Sequence, residues 1–206
     1  MAKKLTERKR EDIIRAAKDE FRDNGFGATS MDRIAEVAGV SKRTVYNHFD
    51  SKETLFKAVA QDMCDIFQSI SEYPYDPGAP LRPQLETIST RQMEFLCAER
   101  TLRLFKMLTA ETLAAPELTR PIIENFEKES VGLYKWIRAA ADDGKLKVAN
   151  PVWAGRQFMA LLESFTTFPY LFGMEYVQDE AQQKAVVSSA VDMFLGHYAT
   201  MPEGTH

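Results

Sequence analysis

Apolar residues return along most of this chain at i, i+3 or i+4 and i+7, the spacing of helices, and nowhere with the strict alternation of a strand. Ile13, Ile14, Ala17 and Phe21 share one face and predict a first helix over Glu7–Asn24. Ile34, Ala35 and Ala38 predict a short second helix, followed by Gly39, which supplies the left-handed backbone of a tight turn. Val45 and Phe49, one turn apart, form the seam of a third helix over Ser41–Phe49. Ser30 and Ser41 stand where N-cap hydroxyls belong. Asp50 and Glu53 have capping-box spacing and open a fourth helix that runs through Leu55, Val59 and Met63 to about Ser71. The run Tyr-Pro-Tyr-Asp-Pro-Gly-Ala-Pro at 73–80 is a break no helix crosses. Beyond it the pattern predicts helices over Leu81–Ala98, Thr101–Thr112, Pro116–Asp143, Pro151–Phe172 and Asp179–Ala199. Pro121 splits or kinks the third of these near Thr119, and Pro169 threatens the end of the fourth. The fold class is all-α.

With Val45 and Phe49 turned inward, Lys42, Arg43, Thr44, Tyr46, Asn47 and His48 face outward. Cation, hydroxyl, amide, phenol and imidazole on one face are what a major groove and its flanking phosphates require, so residues 30–52 read as a helix-turn-helix with Ser41–Phe49 as recognition helix. Base reading falls to Lys42, Arg43, Thr44 and Asn47, with Arg43 able to bond guanine O6 and N7 together. Tyr46 and His48 would be structural aromatics in an arbitrary helix; with the seam already filled they point to phosphates. Lys52 sits near the start of the fourth helix, either as an anion anchor or as a solvated lysine. Thr29 or Ser30 caps the second helix, with phosphate contact as an additional role. The basic run at 3–10 is a minor-groove arm or simply a solvated terminus.

Charge sharpens this picture. The 206 residues carry a net charge of −4, which taken whole argues against nucleic acid. Residues 1–57, however, hold 13 Lys+Arg against 10 Asp+Glu, and residues 58–206 hold 13 against 20. A basic head on an acidic body is the asymmetry of a DNA-binding domain attached to something else. No apolar run approaches the ~20 residues of a membrane span, and the N-terminus lacks the apolar stretch of a signal peptide. Cys64 and Cys97, without CxxC spacing, read as reduced thiols of a cytoplasmic protein. No nucleophile elbow, P-loop, HExxH or Rossmann glycine pattern is present, so no enzyme and no cofactor are expected; a metal site from the two cysteines and a histidine lacks spacing support.

From Ile13 to Leu55 the chain resembles the TetR family of bacterial transcriptional regulators. The matching residues are Ala16, Ala17 and Phe21, Gly25-Phe26, Thr29-Ser30, Ile34-Ala35, Ala38-Gly39-Val40-Ser41, Val45-Tyr46, His48-Phe49, and Ser51-Lys52-Glu53 with Leu55. Ala115–Leu118, Gly144–Leu146 and Asn150-Pro151 are similar to its AcrR-like branch. The resemblance implies a homodimer with a helix-turn-helix domain at 1–52, a connecting helix at 51–71 and a ligand-binding and dimerisation domain at 53–206. It also implies backbone contacts to DNA from Tyr46, His48 and Lys52. Arg43 departs from the small residue the family often has there, which suggests a sequence preference of its own.

In the body, Phe95, Leu104, Phe105, Leu108, Phe126, Trp136, Phe158, Leu162 and Phe165 line a cavity or simply fill the core. Arg91, Gln157, Glu163 and Thr166 are the sparse polar groups among them that would orient a hydrophobic or aromatic effector. Glu163 either lines that site or pairs with a cation across an interface. The stripe Val186, Val187, Ala190, Val191, Phe194, Leu195 and Tyr198, with Trp153, Phe158, Leu161, Leu162 and Phe165 before it, is apolar enough to need a partner; by the resemblance these last two helices pair with their copies in a four-helix bundle. The expectation is a dimeric repressor that binds a palindromic operator in double-stranded DNA, its half-sites ~34–36 Å or a multiple apart, and is released by a small effector. The competing reading is an architectural DNA-binding protein without a ligand.

Overall fold

The computed structural model describes residues 2–128 and 132–200. Among them regular structure is helical: α1 (Ala2–Asn24), α2 (Met31–Val37), α3 (Lys42–His48), α4 (Lys52–Ser71), α5 (Leu81–Cys97), α6 (Glu99–Ala114), α7 (Arg120–Lys128), α8 (Gly132–Asp142), α9 (Pro151–Glu163), α10 (Thr167–Leu171) and α11 (Glu180–Tyr198). A 3₁₀ turn spans Pro116–Leu118, and Leu146 and Ala199 form an isolated antiparallel bridge. No helix among the described residues is long and apolar enough to cross a membrane. The run at 3–10 is not an arm ahead of α1 but its opening turns, consistent with the helix propensity of Lys, Glu and Arg.

The chain divides into two compact units, Met1–Cys64 with Arg103–Asn125, and Asp65–Leu102 with Phe126–His206. The boundary expected at residue 52 falls inside the first unit, and α4 contributes to both. The first unit closes around Ile13, Ala17 and Phe21 of α1, Ile34 and Ala35 of α2, Val45 of α3, Phe49, and Leu55, Phe56 and Val59 of α4. Phe21, Phe26 and Phe56 meet ring to ring at 5.1–6.1 Å. Lys18 bonds Asp62 at 2.6 Å, and Arg103 of α6 approaches Asp23 of α1 at 3.3 Å. Leu104 and Leu108 of α6 belong to this core, with Met107, Leu118 and Ile122 against it. They follow each other at helical spacing on the face of α6 that the first unit buries, which corrects their placement in the body.

The second unit packs α5, α8, α9 and α11 around Leu85, Ile88, Leu133, Trp136, Ile137, Phe158, Leu162, Val191 and Phe194. Phe158 and Phe194 meet edge to face at 5.2 Å. Buried Gln84 organises the proline-rich break: its Nε2 donates to the carbonyls of Asp76, Ala79 and Pro80, while its Oε1 accepts from Asp76 N–H and from Trp136 Nε1. Val187, Ala190, Val191, Phe194 and Leu195 are spent inside this core, so the terminal stripe is not the face left open for a second copy. Gly155 leaves room for the Tyr134 ring, and Gly132 brings the start of α8 onto the last residues of α4.

Two helices break where proline forces them to. Pro121 becomes the second residue of α7, where its missing N–H costs nothing, after a 3₁₀ turn and buried Thr119. Of the predicted Pro116–Asp143 helix, the part at 129–131 lies outside the described residues. Pro169 would clash with the Phe165 carbonyl in a continuous helix. Instead α9 ends at Glu163, the chain restarts as α10 with Pro169 in its first turn, and the Phe165 carbonyl accepts from Val177 N–H at 3.0 Å. At the head of α4, Ser51 and not Asp50 provides the cap, its hydroxyl accepting from Thr54 N–H at 3.2 Å.

An added Cβ at Gly132 would lie 2.2 Å from the Ser71 carbonyl oxygen and 2.6 Å from Glu72 N, both backbone atoms that cannot rotate away. Gly132→Ala is therefore expected to cost on the order of 1–3 kcal/mol despite the better helix propensity of alanine, read as a lower urea midpoint. An unchanged or raised midpoint would show that α8 does not sit this close to α4.

Candidate nucleic-acid interface

Local chemistry builds the helix-turn-helix from both sides of Gly39. Ser30 caps α2, accepting from Arg33 N–H, and Ser41 caps α3, accepting from Thr44 N–H, both at 3.1 Å. Gly39 adopts φ 65°, the left-handed conformation a Cβ disfavours, and Val40 packs against the core. Val45 is fully buried and Phe49 nearly so, which fixes the rotation of α3 about its axis.

That rotation presents Ser41, Lys42, Arg43, Tyr46 and Asn47 to solvent and leaves Thr44 and His48 half-buried at the margins. Tyr46 is half exposed. No carboxylate lies in the first turn of α3. The Arg43 side chain has no hydrogen bond or ion pair with any described residue, so its guanidinium is unspent. Lys42 touches Asp32 at 2.5 Å, but both side chains are largely exposed, and such a pair is worth at most about 1 kcal/mol. A phosphate can displace it. The Ser41 and Thr44 hydroxyls are 2.8 Å apart and occupied with capping. Arg10 of α1 stacks over the Phe49 ring at 5.3 Å. Glu53 lies below the usual carboxylate range through its own backbone N–H and the Ser51 hydroxyl.

Two expected phosphate ligands are placed differently. Thr29 is buried, its hydroxyl donating to the Gly25 carbonyl at 2.8 Å and lying 3.2 Å from the Glu20 carbonyl. Lys52 is bonded to the α1–α2 connection, donating to the carbonyls of Phe26, Gly27 and Thr29.

The residues expected to bind an effector do not form one group. Trp136, Phe158 and Leu162 are fully buried in the second unit's core, and half-buried Phe95 packs against them with its ring 5.9 Å from Phe67. Thr166 is buried and donates to the Leu162 carbonyl. Phe165 is half exposed, and Glu163 lies exposed in the last turn of α9. Crowding by the surrounding protein raises the Glu163 carboxyl, an effect its open side limits. Leu108 belongs to the first unit, Phe105 is half-buried on α6, and the Phe126 side chain falls outside the described residues. Arg91 is exposed and stacks on Tyr73. Cys97 lies 3.5 Å from the Met93 sulfur, and burial pushes its thiol up to about 11, away from nucleophilic use.

Several buried polar side chains were missed, Gln84 and Gln92 among them. Gln92 is fully buried, its Nε2 donating to the Ser71 hydroxyl at 3.1 Å, which in turn donates to the Phe67 carbonyl at 2.7 Å. That direction of donation fixes the amide, and Gln92 Oε1 is left buried without a partner. The signal was present: Gln92 occupies the stripe Leu81, Leu85, Ile88, Gln92, Leu96, where only an apolar residue is expected.

Known proteins match the chain along both units. Residues 13–59 match the model of bacterial regulatory proteins of the tetR family, and residues 83–200 match the C-terminal domain of AefR-like transcriptional repressors. The body is thus matched by an AefR-like model where the sequence resembled the AcrR-like branch. The chain is similar to the HTH-type transcriptional regulator RutR of Escherichia coli O157:H7, at 31% identity over 160 residues and 74% of each chain. Among solved structures it resembles a TetR family regulator from Pseudomonas syringae pv. tomato, with a TM-score of 0.76, 40% identity and coverage of 93% of this chain and 97% of that one. It also resembles the flavonoid-responsive regulator FrrA, with a TM-score of 0.73, 26% identity and coverage of 95% and 99%. Family models matched over residues 13–59 and 83–200, together with a relative 31% identical over 74% of each chain, place the chain in the TetR family of DNA-binding transcriptional regulators, which are not enzymes.

Proposed function

We propose that this protein is a cytoplasmic, homodimeric repressor that places α3 of each copy in successive major grooves of a palindromic operator and leaves it when a small aromatic effector binds the second unit. The observation that carries the DNA part is the recognition face itself: Arg43 unspent, Lys42 held only by an exposed pair, Asn47 exposed, and the apolar seam turned inward. In this reading Arg43, Lys42, Thr44 and Asn47 meet base edges, while Ser30, Ser41, Tyr46 and His48 meet phosphates. Arg43→Ala is expected to relax base preference at one position of each half-site and to cost about 1–3 kcal/mol. Selection from a random-sequence pool reads this directly, and an unchanged sequence logo would remove Arg43 from base reading.

The dimer rests on the outer faces of α9 and α11, because their inner faces are used within the unit. Trp153 and Met193 remain about 60% exposed, and Ala160, Ser164, Ser189 and Gly196 leave low ground between them for close helix approach. Tryptophan is enriched among hot spots, so Trp153→Ala should weaken self-association by about 2 kcal/mol and Met193→Glu by more. Sedimentation equilibrium tests this, and dimers of wild-type strength in both variants would place the contact on another surface.

For the effector, the flavonoid-responsive relative points to a hydroxylated aromatic, and the buried, unpartnered Gln92 Oε1 is an acceptor suited to a hydroxyl donor. Ser71, bonded to the same amide, ends the helix that begins at Lys52. A thermal-shift series of flavones with and without ring hydroxyls should therefore stabilise the wild type in proportion to affinity, with preference for a hydroxylated member. Gln92→Leu should lose that preference by roughly tenfold, the worth of one hydrogen bond of about 1.4 kcal/mol. Failure of every member to stabilise the wild type would sink the effector class, whereas equal preference in both proteins would sink only Gln92.

A further inference from the structure

We infer that Ser71 is a positioning residue that sets effector specificity: it locks the Gln92 amide as an acceptor, which admits a donor group and rejects carbonyls and carboxylates. The inference rests on the reading of Gln92 as an effector contact. Ser71 and Phe67 of α4, Gln92 of α5 and Gly132 of α8 all belong to the second unit. Ser71 and Gln92 are both fully buried, so neither side chain can turn to solvent for a partner.

Hydrogen counting sets the direction of the contact. A serine hydroxyl carries one hydrogen and can also accept. The Ser71 hydroxyl gives that hydrogen to the Phe67 carbonyl one turn back, at 2.7 Å, a common bond for a serine inside a helix. Its oxygen can then only accept, so the amide arm facing it is the Nε2 donor, at 3.1 Å. The other arm, Oε1, is left buried without a partner. Turning the amide over would draw the single hydrogen to Oε1 and away from the Phe67 carbonyl. One bond would replace two, and both Nε2 hydrogens would be buried unpaired, which favours the observed orientation by roughly tenfold. Ser71 cannot step aside to ease the turn. At Gly132 the start of α8 lies so close that an added Cβ would come within 2.2 Å of the Ser71 carbonyl oxygen.

The consequence is chemical. A hydroxyl or amine of an effector can give its hydrogen to Oε1. A carbonyl or carboxylate oxygen brought to the same atom meets a second acceptor, so it loses its water and gains no bond. The polarity of the contact is therefore decided by a serine that the effector itself need not touch.

The test uses flavones carrying a hydroxyl, formyl or vinyl group at the ring position whose hydroxyl stabilises the wild type most. Formyl and vinyl are nearly equal in size and shape, so the ratio of their dissociation constants reports polarity, with packing and protein stability cancelled. Calorimetry supplies the constants for wild type, Ser71→Ala and Gln92→Leu. Ser71→Cys, which keeps the volume and bonds hydrogen poorly, takes the place of Ser71→Ala if the alanine variant does not fold. The wild type should bind the hydroxyl compound best and the formyl compound worst. Loss of the serine hydroxyl frees the amide to offer Nε2, so formyl should gain on vinyl by roughly tenfold. It should also exceed the formyl-to-vinyl ratio of Gln92→Leu, where residue 92 offers neither donor nor acceptor. An unchanged ratio in Ser71→Ala, with the hydroxyl preference lost in Gln92→Leu, would overturn the role of Ser71 and leave Gln92 an effector contact. A wild type that prefers no hydroxyl over vinyl would overturn the Gln92 contact and this inference together.

Discussion

The recognition helix depends on the burial of two side chains, Val45 and Phe49. α3 has seven residues, well short of the ~12–15 at which an isolated helix becomes even marginal in water. Burying a valine and a phenylalanine contributes about 1.5–3 kcal/mol each, which is enough to fold two turns against a core but not to fold them alone. The same burial sets the helix's rotation, so one packing event both creates the helix and decides which of its residues face solvent. Ser41, Gly39 and Ser30 then satisfy the backbone on either side, each with a local interaction worth about 1 kcal/mol.

The second unit is held by apolar contact like the first, but its particular arrangement owes much to a few polar and small residues. Gln84 satisfies four backbone groups of the 73–80 break and the Trp136 indole, converting a stretch that cannot be helical into a fixed strap. Gly132 and Gly155 permit approaches that any Cβ would forbid. Buried amides of this kind are costly unless satisfied, and they specify one packing among the many that an apolar core alone would tolerate. Gln92 departs from that rule by one oxygen, and in a unit otherwise so fully bonded the exception is informative.

The two units differ in how tightly they are constrained. The head must form a helix-turn-helix, and its constraints leave little freedom at the turn, caps and seam. The body must bury its apolar stripes, a task that many arrangements can meet. Proline placement illustrates this freedom: Pro121 and Pro169 each moved a helix boundary into a neighbouring turn without disturbing the core around Phe158 and Leu162.

Much of this was legible in the sequence because it follows from short-range spacing. Helical periodicity, the Gly39 turn, the serine caps of α2 and α3, and the inward seam are each set within one or two turns of chain. The same local rules placed the break at 73–80 and the split at Thr119. Three things required the tertiary structure, and for one reason: each depends on residues far apart in sequence. Leu104 and Leu108 are apolar in either unit, and only packing assigned them to the first. Val187 and Phe194 form a stripe that suits an interface or a core equally, and only the packing of α5 and α9 against it showed that it was already covered. Lys52 looked like a free cation because the carbonyls that take its three protons lie some two dozen residues earlier in the chain. Periodicity reveals which face of a helix is apolar or charged; only the folded chain determines what that face meets.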